Sequence, residues 1–177
     1  MTEVRTAHTA DLSNDDLAAI RVLMDVAFDG DFDGDDWDHT LGGIHAMAWE
    51  RTELIGHGSV VQRRLLHGGR ALRTGYVEGV AVRVDRRGQG YGAAVMTALE
   101  LVARRAYDLG ALGAADDAAA FYAARGWQQW HGPTSVLAPT GIERTPDEDG
   151  AVYVLPLDTQ LDVSGELTCD WRDGDVW

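Results

Sequence analysis

The chain has no lysine. All fifteen of its basic residues are arginine, against 29 aspartates and glutamates, and the net charge is -14. That balance argues against a nucleic-acid partner, because phosphate binding needs a basic surface. It suits a cationic ligand, and it serves solubility equally well. The arginine bias itself has no functional reading. A single cysteine, Cys169, excludes an internal disulfide and points to a reducing compartment. No apolar run approaches the ~20 residues of a membrane-spanning helix, and no signal-peptide pattern opens the chain. A cytoplasmic protein without a membrane partner is therefore expected. What is present is 177 residues with 45% apolar content. That is enough for one domain, residues 1–177, with a sizeable core.

The pattern along the chain is α+β. Ser13, three residues before Asp16, caps a helix whose face Leu17, Ile20, Met24 and Ala27 runs to Phe28. An acidic loop, DGDFDGDDWDH, covers residues 29–39. Strands are expected over residues 44–50, 54–66 and 70–82, and the short breaks between them imply antiparallel hairpins. A second helix is expected over residues 91–109. The short segment GALGA then leads to a third helix over residues 116–125, ended by Gly126. A proline- and acid-containing loop, residues 139–150, precedes the strand AVYVLPL. The order predicts a mostly antiparallel central sheet flanked by helices.

The stretch VEGVAVRVDRRGQGYGAAVM, residues 77–96, carries the most chemistry. A strand runs into arginines, then into glycines, then into a helix start. A helix N-terminus has unpaired N–H groups and partial positive charge. Glycines let a phosphate approach those groups, and Arg83, Arg86 and Arg87 add mobile positive charge. The expectation is an anion site for a pyrophosphate. A P-loop is excluded, since G-x-x-x-x-G-K-[ST] does not occur. Gly88-x-Gly90-x-x-Ala93 fits a loose dinucleotide fingerprint, but hairpins precede it and the next segment, GALGA, lacks a terminal acid for a ribose. The third pattern is Arg87-x-x-Gly90-x-Gly92. Between a strand and a helix it resembles the pyrophosphate loop of the GCN5-related N-acetyltransferases (GNAT). AAAFYAARGW resembles that family's later motif, which places a tyrosine near the thioester sulfur.

The segments GDFDGDDWDHTLGG, GYVEGVAVR, RGWQQWHGPTSVLAPTG and CDWRDGDVW are similar to the aminoglycoside 2'-N-acetyltransferases of mycobacteria and their relatives. The similarity runs from about His8 to Trp177. It implies the GNAT fold with splayed central strands, acetyl-coenzyme A as cosubstrate, an aminoglycoside as acceptor, antibiotic resistance and a homodimer. It also implies coenzyme contacts at Val80, Ala81, Val82, Arg87, Gly88, Gln89, Gly90, Tyr91 and Gly92. Substrate contacts are implied at Asp31, Asp36, Glu78, Gly79, Gly113, Asp147, Glu148, Asp175 and the carboxylate of Trp177. Two departures bear on substrate preference. Gly113 has no side chain to offer a hydroxyl, and Asp116 and Asp117 add negative charge.

Acetyl transfer needs a polarised thioester carbonyl, a neutral amine, a protonated leaving thiolate and alignment of both substrates. Backbone N–H groups near Val80 can polarise the carbonyl. Glu78, on the same strand face as Val80 and Val82, can take a proton through a water. Tyr122 is the candidate acid. An ordinary surface acid and a half-buried core aromatic are the plain alternatives for these two residues. Cys169 has no base-and-orienter pair in sequence, so direct transfer is expected. Asp29-x-Asp31-x-Asp33-Gly34 matches the first half of an EF-hand. However, Thr40 stands where the bidentate Glu belongs, Trp37 fits poorly, and no H-x-x-x-H pair occurs, so no metal is expected. Rival expectations are acetylation of a cell-wall precursor or polyamine, and a coenzyme-binding or drug-sequestering protein without turnover.

Overall fold

Each turn of the first sixty residues is fixed by a local device. The computed structural model describes residues 3–177. Strand β1 (Glu3–His8) leads into α1 (Asn14–Ala27). Ser13 Oγ accepts from Asp16 N, and the Asp16 carboxylate accepts from Ser13 N, closing the expected capping box. Ile20, Leu23 and Met24 form the buried stripe of α1. The acidic segment is not all loop. Asp33 accepts from Asp35 N and Asp36 N and so caps a short helix, α2 (Gly34–Thr40). Strands β2 (Ile44–Glu50), β3 (Glu53–His67) and β4 (Arg70–Val82) follow, joined by two-residue turns. Arg51 takes positive φ in the first turn and Gly68 and Gly69 in the second, as twisted hairpins require.

Helix α3 spans Tyr91–Ala106, three residues shorter than expected. Leu109 belongs instead to β5 (Leu109–Gly113), which pairs parallel with β4 from Thr74↔Leu109 to Tyr76↔Ala111. The ladder stops there, short of the end of each strand, which is the divergence expected of the central strands. The third helix divides into a 3-10 turn and α4 (Ala119–Ala123), and Gly126 follows at φ +90. The remaining strands are β6 (Gln128–Gln129), β7 (Thr134–Ala138), β8 (Gly141–Arg144), β9 (Val152–Pro156) and β10 (Leu167–Asp170). β8 and a 3-10 turn, Pro146–Glu148, occupy what the sequence marks as one loop.

The chain divides into two compact units. One comprises residues up to Val61 with Val77–Val102, and the other comprises Gln62–Tyr76 with Ala103–Trp177. In the first, β1, β2 and β3 pair antiparallel. Ile20, Leu23, Met24, Phe32, Met47, Leu54 and Ala81 form a core. Val95 and Leu99 of α3 lie close on β3 at Gly58, where an added Cβ would fall 2.9 Å from Leu99 Cδ1. In the second, the strand order is β6-β9-β5-β4-β3-β10-β7-β8, antiparallel except at β4–β5 and β7–β10.

The first unit also buries a polar chain. His45 and His57 are fully buried on β2 and β3. His45 Nδ1 lies 2.9 Å from His57 Nε2, and His57 Nδ1 lies 2.9 Å from the Gly79 carbonyl oxygen. Desolvation lowers His45 to about 4, with the nearby His8 acting the same way. Desolvation and the His45 ring lower His57 to about 3, against the raising effect of its bond to Gly79. Unfolding returns both to the ordinary value of 6.5. Below 6.5 the unfolded chain therefore binds protons that the native chain refuses. Stability should be full above that pH and fall on acidification, at up to about 1.4 kcal/mol per pH unit per ring. Urea midpoints between pH 7 and 5.5 should show this slope, and His57→Leu should flatten it. A wild-type midpoint constant over that range would show that the rings are not buried neutral.

Candidate active site

The strand-to-helix passage in the first unit supplies backbone donors rather than side chains. Ala94 N makes the first helical bond of α3, to Gly90 O. The N–H groups before Ala94 point out of the N-terminal end with no helical acceptor. Gly88 and Gly90 take φ +74 and +89, and the space above each is open. Residues 87–92 thus form an uncrowded, donor-rich concavity suited to a phosphate. The three arginines divide. Arg83 pairs with Asp85 and Glu53, and Arg86 with Asp85 and Glu50. Arg87 bonds only the carbonyls of Val82 and Ala27. The mobile charge expected of all three therefore reduces to Arg87.

Val80 packs toward Leu99 and Val95 at Gly58, while Ala81 joins the core against α1. Gly79 takes φ +54, and a Cβ there would lie 2.8 Å from Thr40 Cγ2. Only glycine fits both the backbone and the space. This left-handed residue separates half-buried Glu78 from Val80, so the simple two-residue strand repeat does not relate their side chains. Asp31 is exposed ahead of α2. Asp36 is half-buried, and its carboxylate accepts from Asp33 N. Its remaining lone pairs are available to a ligand.

The second unit holds the other candidates. Tyr122 is buried against Phe121, Trp127 and Tyr153. Burial pushes its hydroxyl up to about 12, so it is protonated at neutral pH and can only donate a proton there. Glu148 holds its carboxyl above the ordinary range through burial, then through Asp175 and Asp147 beside it. An added Cβ at Gly113 would meet the Tyr76 hydroxyl at 3.7 Å and the Trp177 carbonyl carbon at 4.0 Å. Trp177 is buried. Its indole donates to Thr145 Oγ1, its backbone N–H to Asp175 Oδ1, and its oxygen accepts from Arg172 Nη2. Cys169 is fully buried, and burial pushes its thiol up to about 11. Such a thiol is protonated at neutral pH and shielded from solvent, which disfavours it as a nucleophile.

Some supporting residues escape sequence patterns. Arg63 is 5% exposed. It donates from Nε to Asp170 Oδ1 and from Nη2 to the carbonyls of Asp170 and Val176. It thereby ties the last residues to β3, and Arg172 ties Asp175 to Trp177. A charge at the buried parity of Val61 and Leu65 is the signal for Arg63. The two buried histidines have a weaker one, a titratable residue among the apolar and small residues of β2 and of the first half of β3. Among the described residues no three His, Cys, Asp or Glu side chains converge as a metal site, and no helix is long and apolar enough to cross a membrane.

A model of the acetyltransferase (GNAT) family matches residues 13–127. The curated aminoglycoside 2'-N-acetyltransferase of Mycolicibacterium fortuitum is 53% identical over 177 residues, covering 98% of this chain and 91% of that protein. Among solved structures, Escherichia coli ElaA superposes with a TM-score of 0.62 at 21% identity, over 87% of this chain and 99% of its own. The ribosomal-protein-S18-alanine N-acetyltransferase of Escherichia coli superposes with a TM-score of 0.61 at 16% identity, over 92% and 97%. At such identities the two structures speak for the fold alone.

Proposed function

The chain belongs to the acetyltransferase (GNAT) family, and from that premise we propose that it moves the acetyl group of acetyl-coenzyme A onto the 2' amine of aminoglycosides. The observation that carries the acceptor class is the near full-length likeness to the Mycolicibacterium fortuitum enzyme. Residues 87–92 and the start of α3 are assigned to the pyrophosphate, and Val80, Ala81 and Val82 to the pantetheine arm. The open space above Gly88 and Gly90 supports the first assignment. The same reading makes the enzyme a cytoplasmic homodimer that confers antibiotic resistance.

Each step of the chemistry has an assigned group. Glu78 takes the proton of the substrate ammonium through a water. The free amine attacks the thioester carbon while the Val80 N–H donates to its oxygen. The carbon–sulfur bond breaks, and Tyr122 gives its proton to the departing thiolate. The surplus proton on the newly acetylated nitrogen passes through water to the Tyr122 phenolate, which restores it. Asp31, Asp36, Glu78 and Gly79 in the first unit hold the polyamine. So do Gly113, Asp147, Glu148, Asp175 and the Trp177 carboxylate in the second. Burial is the main cause that raises Glu148, and a polycation would offset the further contribution from Asp175 and Asp147. Exposed acid–amine pairs are individually weak, so affinity is spread over several.

Three measurements test this. First, Gly90→Val should weaken acetyl-coenzyme A binding by calorimetry at least about tenfold, since a β-branched residue resists positive φ and crowds the phosphate. Unchanged affinity in the folded variant would remove the loop from the coenzyme site. Second, Tyr122→Phe should lower kcat on the order of 10²-fold with little change in KM, the scale of lost general-acid catalysis. Glu78→Gln should also lower kcat, most at acidic pH, where the amine must first lose a proton. Full activity of both variants across pH would refute these roles.

The third measurement concerns position. An amine attacks a thioester far better than a neutral hydroxyl, and the reacting atoms must approach to about 3–3.5 Å. Gentamicin, tobramycin and kanamycin B carry a 2' amine and should be acetylated there. Kanamycin A, with a 2' hydroxyl, should bind without turnover. Thiol-release assays and product NMR decide this. Product at the 3 or 6' nitrogen would overturn the regiochemistry, and absence of turnover on every aminoglycoside would overturn the substrate class.

A further inference from the structure

The two buried histidine rings of the first unit have only one consistent arrangement of protons. The Thr9 hydroxyl beside them has the His45 ring at 2.7 Å and the Gly43 carbonyl at 3.4 Å as acceptors, and the shorter contact is taken as its bond. A carbonyl oxygen only accepts, so the Gly79 oxygen requires a proton on His57 Nδ1. Burial keeps the ring neutral, so His57 Nε2 is an acceptor, and His45 Nδ1 must carry the proton between them. His45 is neutral as well, which leaves its Nε2 to accept from Thr9 Oγ1 at 2.7 Å. Thr9 Oγ1 in turn accepts from Gly42 N. The chain therefore runs one way, from Gly42 through Thr9, His45 and His57 to Gly79. Both rings are in the Nδ1–H form, the opposite of the tautomer that predominates in free histidine.

The chain ends on a peptide that matters. No peptide bond among the described residues is cis. In a planar trans peptide the carbonyl and the following N–H point in opposite directions. The carbonyl of Gly79 and the N–H of Val80 belong to the same plane, so a bond that holds one aims the other. Gly79 at φ +54 is the pivot, and glycine resists rotation of that plane least of all residues. A hydrogen bond accepted by a carbonyl also polarises its peptide and strengthens the N–H as a donor. We propose that His57, backed by His45 and Thr9, is a positioning residue that aims and polarises the Val80 N–H toward the thioester oxygen. The inference rests on the assignment of Val80 as that donor.

Two experiments test it. Long-range proton–nitrogen NMR of histidine-labelled wild-type protein at pH 7, without substrate, should find both rings protonated at Nδ1. Protonation of either ring at Nε2 would overturn the proposal. In kinetics with tobramycin, His57→Leu removes the donor, whereas in His57→Asn the amide nitrogen replaces Nδ1. The leucine variant should lose about tenfold in kcat, less than the roughly 10²–10³-fold cost of losing a donor outright. Its KM for acetyl-coenzyme A should stay within about twofold, and the asparagine variant should recover most of the loss. Undiminished kcat in folded His57→Leu would overturn the proposal. So would equal losses in both variants that simply follow their melting temperatures. If the leucine variant does not fold, the NMR arm decides. A wild-type enzyme inactive on every aminoglycoside would sink the substrate class, while the substrate-free spectrum would still establish or refute the proton arrangement.

Discussion

A carbonyl buried in a sheet must find a donor, and at Gly79 a side chain, the His57 ring, supplies one. Much of the first unit follows from that one bond. The donor must be reached from β3, so a polar ring sits where the sheet is otherwise apolar. A second ring must satisfy the first, and a hydroxyl must satisfy the second. The accepting residue has a left-handed backbone and Thr40 against it, so it has no side chain. Glu78 and Val80 inherit their placement from flanking it. Two buried imidazoles are costly unless every nitrogen is bonded, and here each nitrogen has a partner.

The second unit meets a different requirement, the placement of the residues after β10. Residues after β10 have no sheet partner of their own. Arg63, almost wholly buried, bonds the carbonyl of Val176 together with that of Asp170 at the end of β10, and Arg172 bonds the backbone oxygens of Asp175 and Trp177. Asp175 turns back onto the Trp177 N–H. Arginine suits both tasks because its planar fork makes several directed bonds at once. Across the molecule charge is managed in the same way. Arg83 and Arg86 are matched with Glu50, Glu53 and Asp85, which leaves Arg87 as the cation of the glycine loop not committed to an acid.

How much of this is legible in the sequence depends on how local the cause is. The α1 cap, the two hairpin turns and the glycines before α3 are set by neighbours within a few residues, and their signals are plain. The end of α3 is not. Tyr107 still bonds back to Ala103, but Asp108 N bonds Arg73 O and Leu109 enters the ladder with Thr74. A partner more than thirty residues away thus overrides the helical period. Strands β7 and β10 are hidden for the same reason, since each is stabilised by the other. The acidic segment misleads in the opposite sense. Asp33, spaced with Asp29 and Asp31 like a calcium ligand, instead forms a capping box with Asp36. The motif-bearing residues of 78–92 and Tyr122 stand out because their spacing is fixed along the chain. His45 and His57 become a pair only through strand register, which sequence alone does not supply.

The burial of Cys169 has a practical side. Its sulfur lies inside β10 beside the Val176 carbonyl, and its thiol is pushed up to about 11. Alkylating and disulfide-forming reagents attack thiolates that they can reach, so they leave the native chain untouched. A colorimetric thiol reagent added to a working reaction then reports released coenzyme with no background from the protein. A cysteine engineered onto the surface becomes the single labelling position without removal of the natural one.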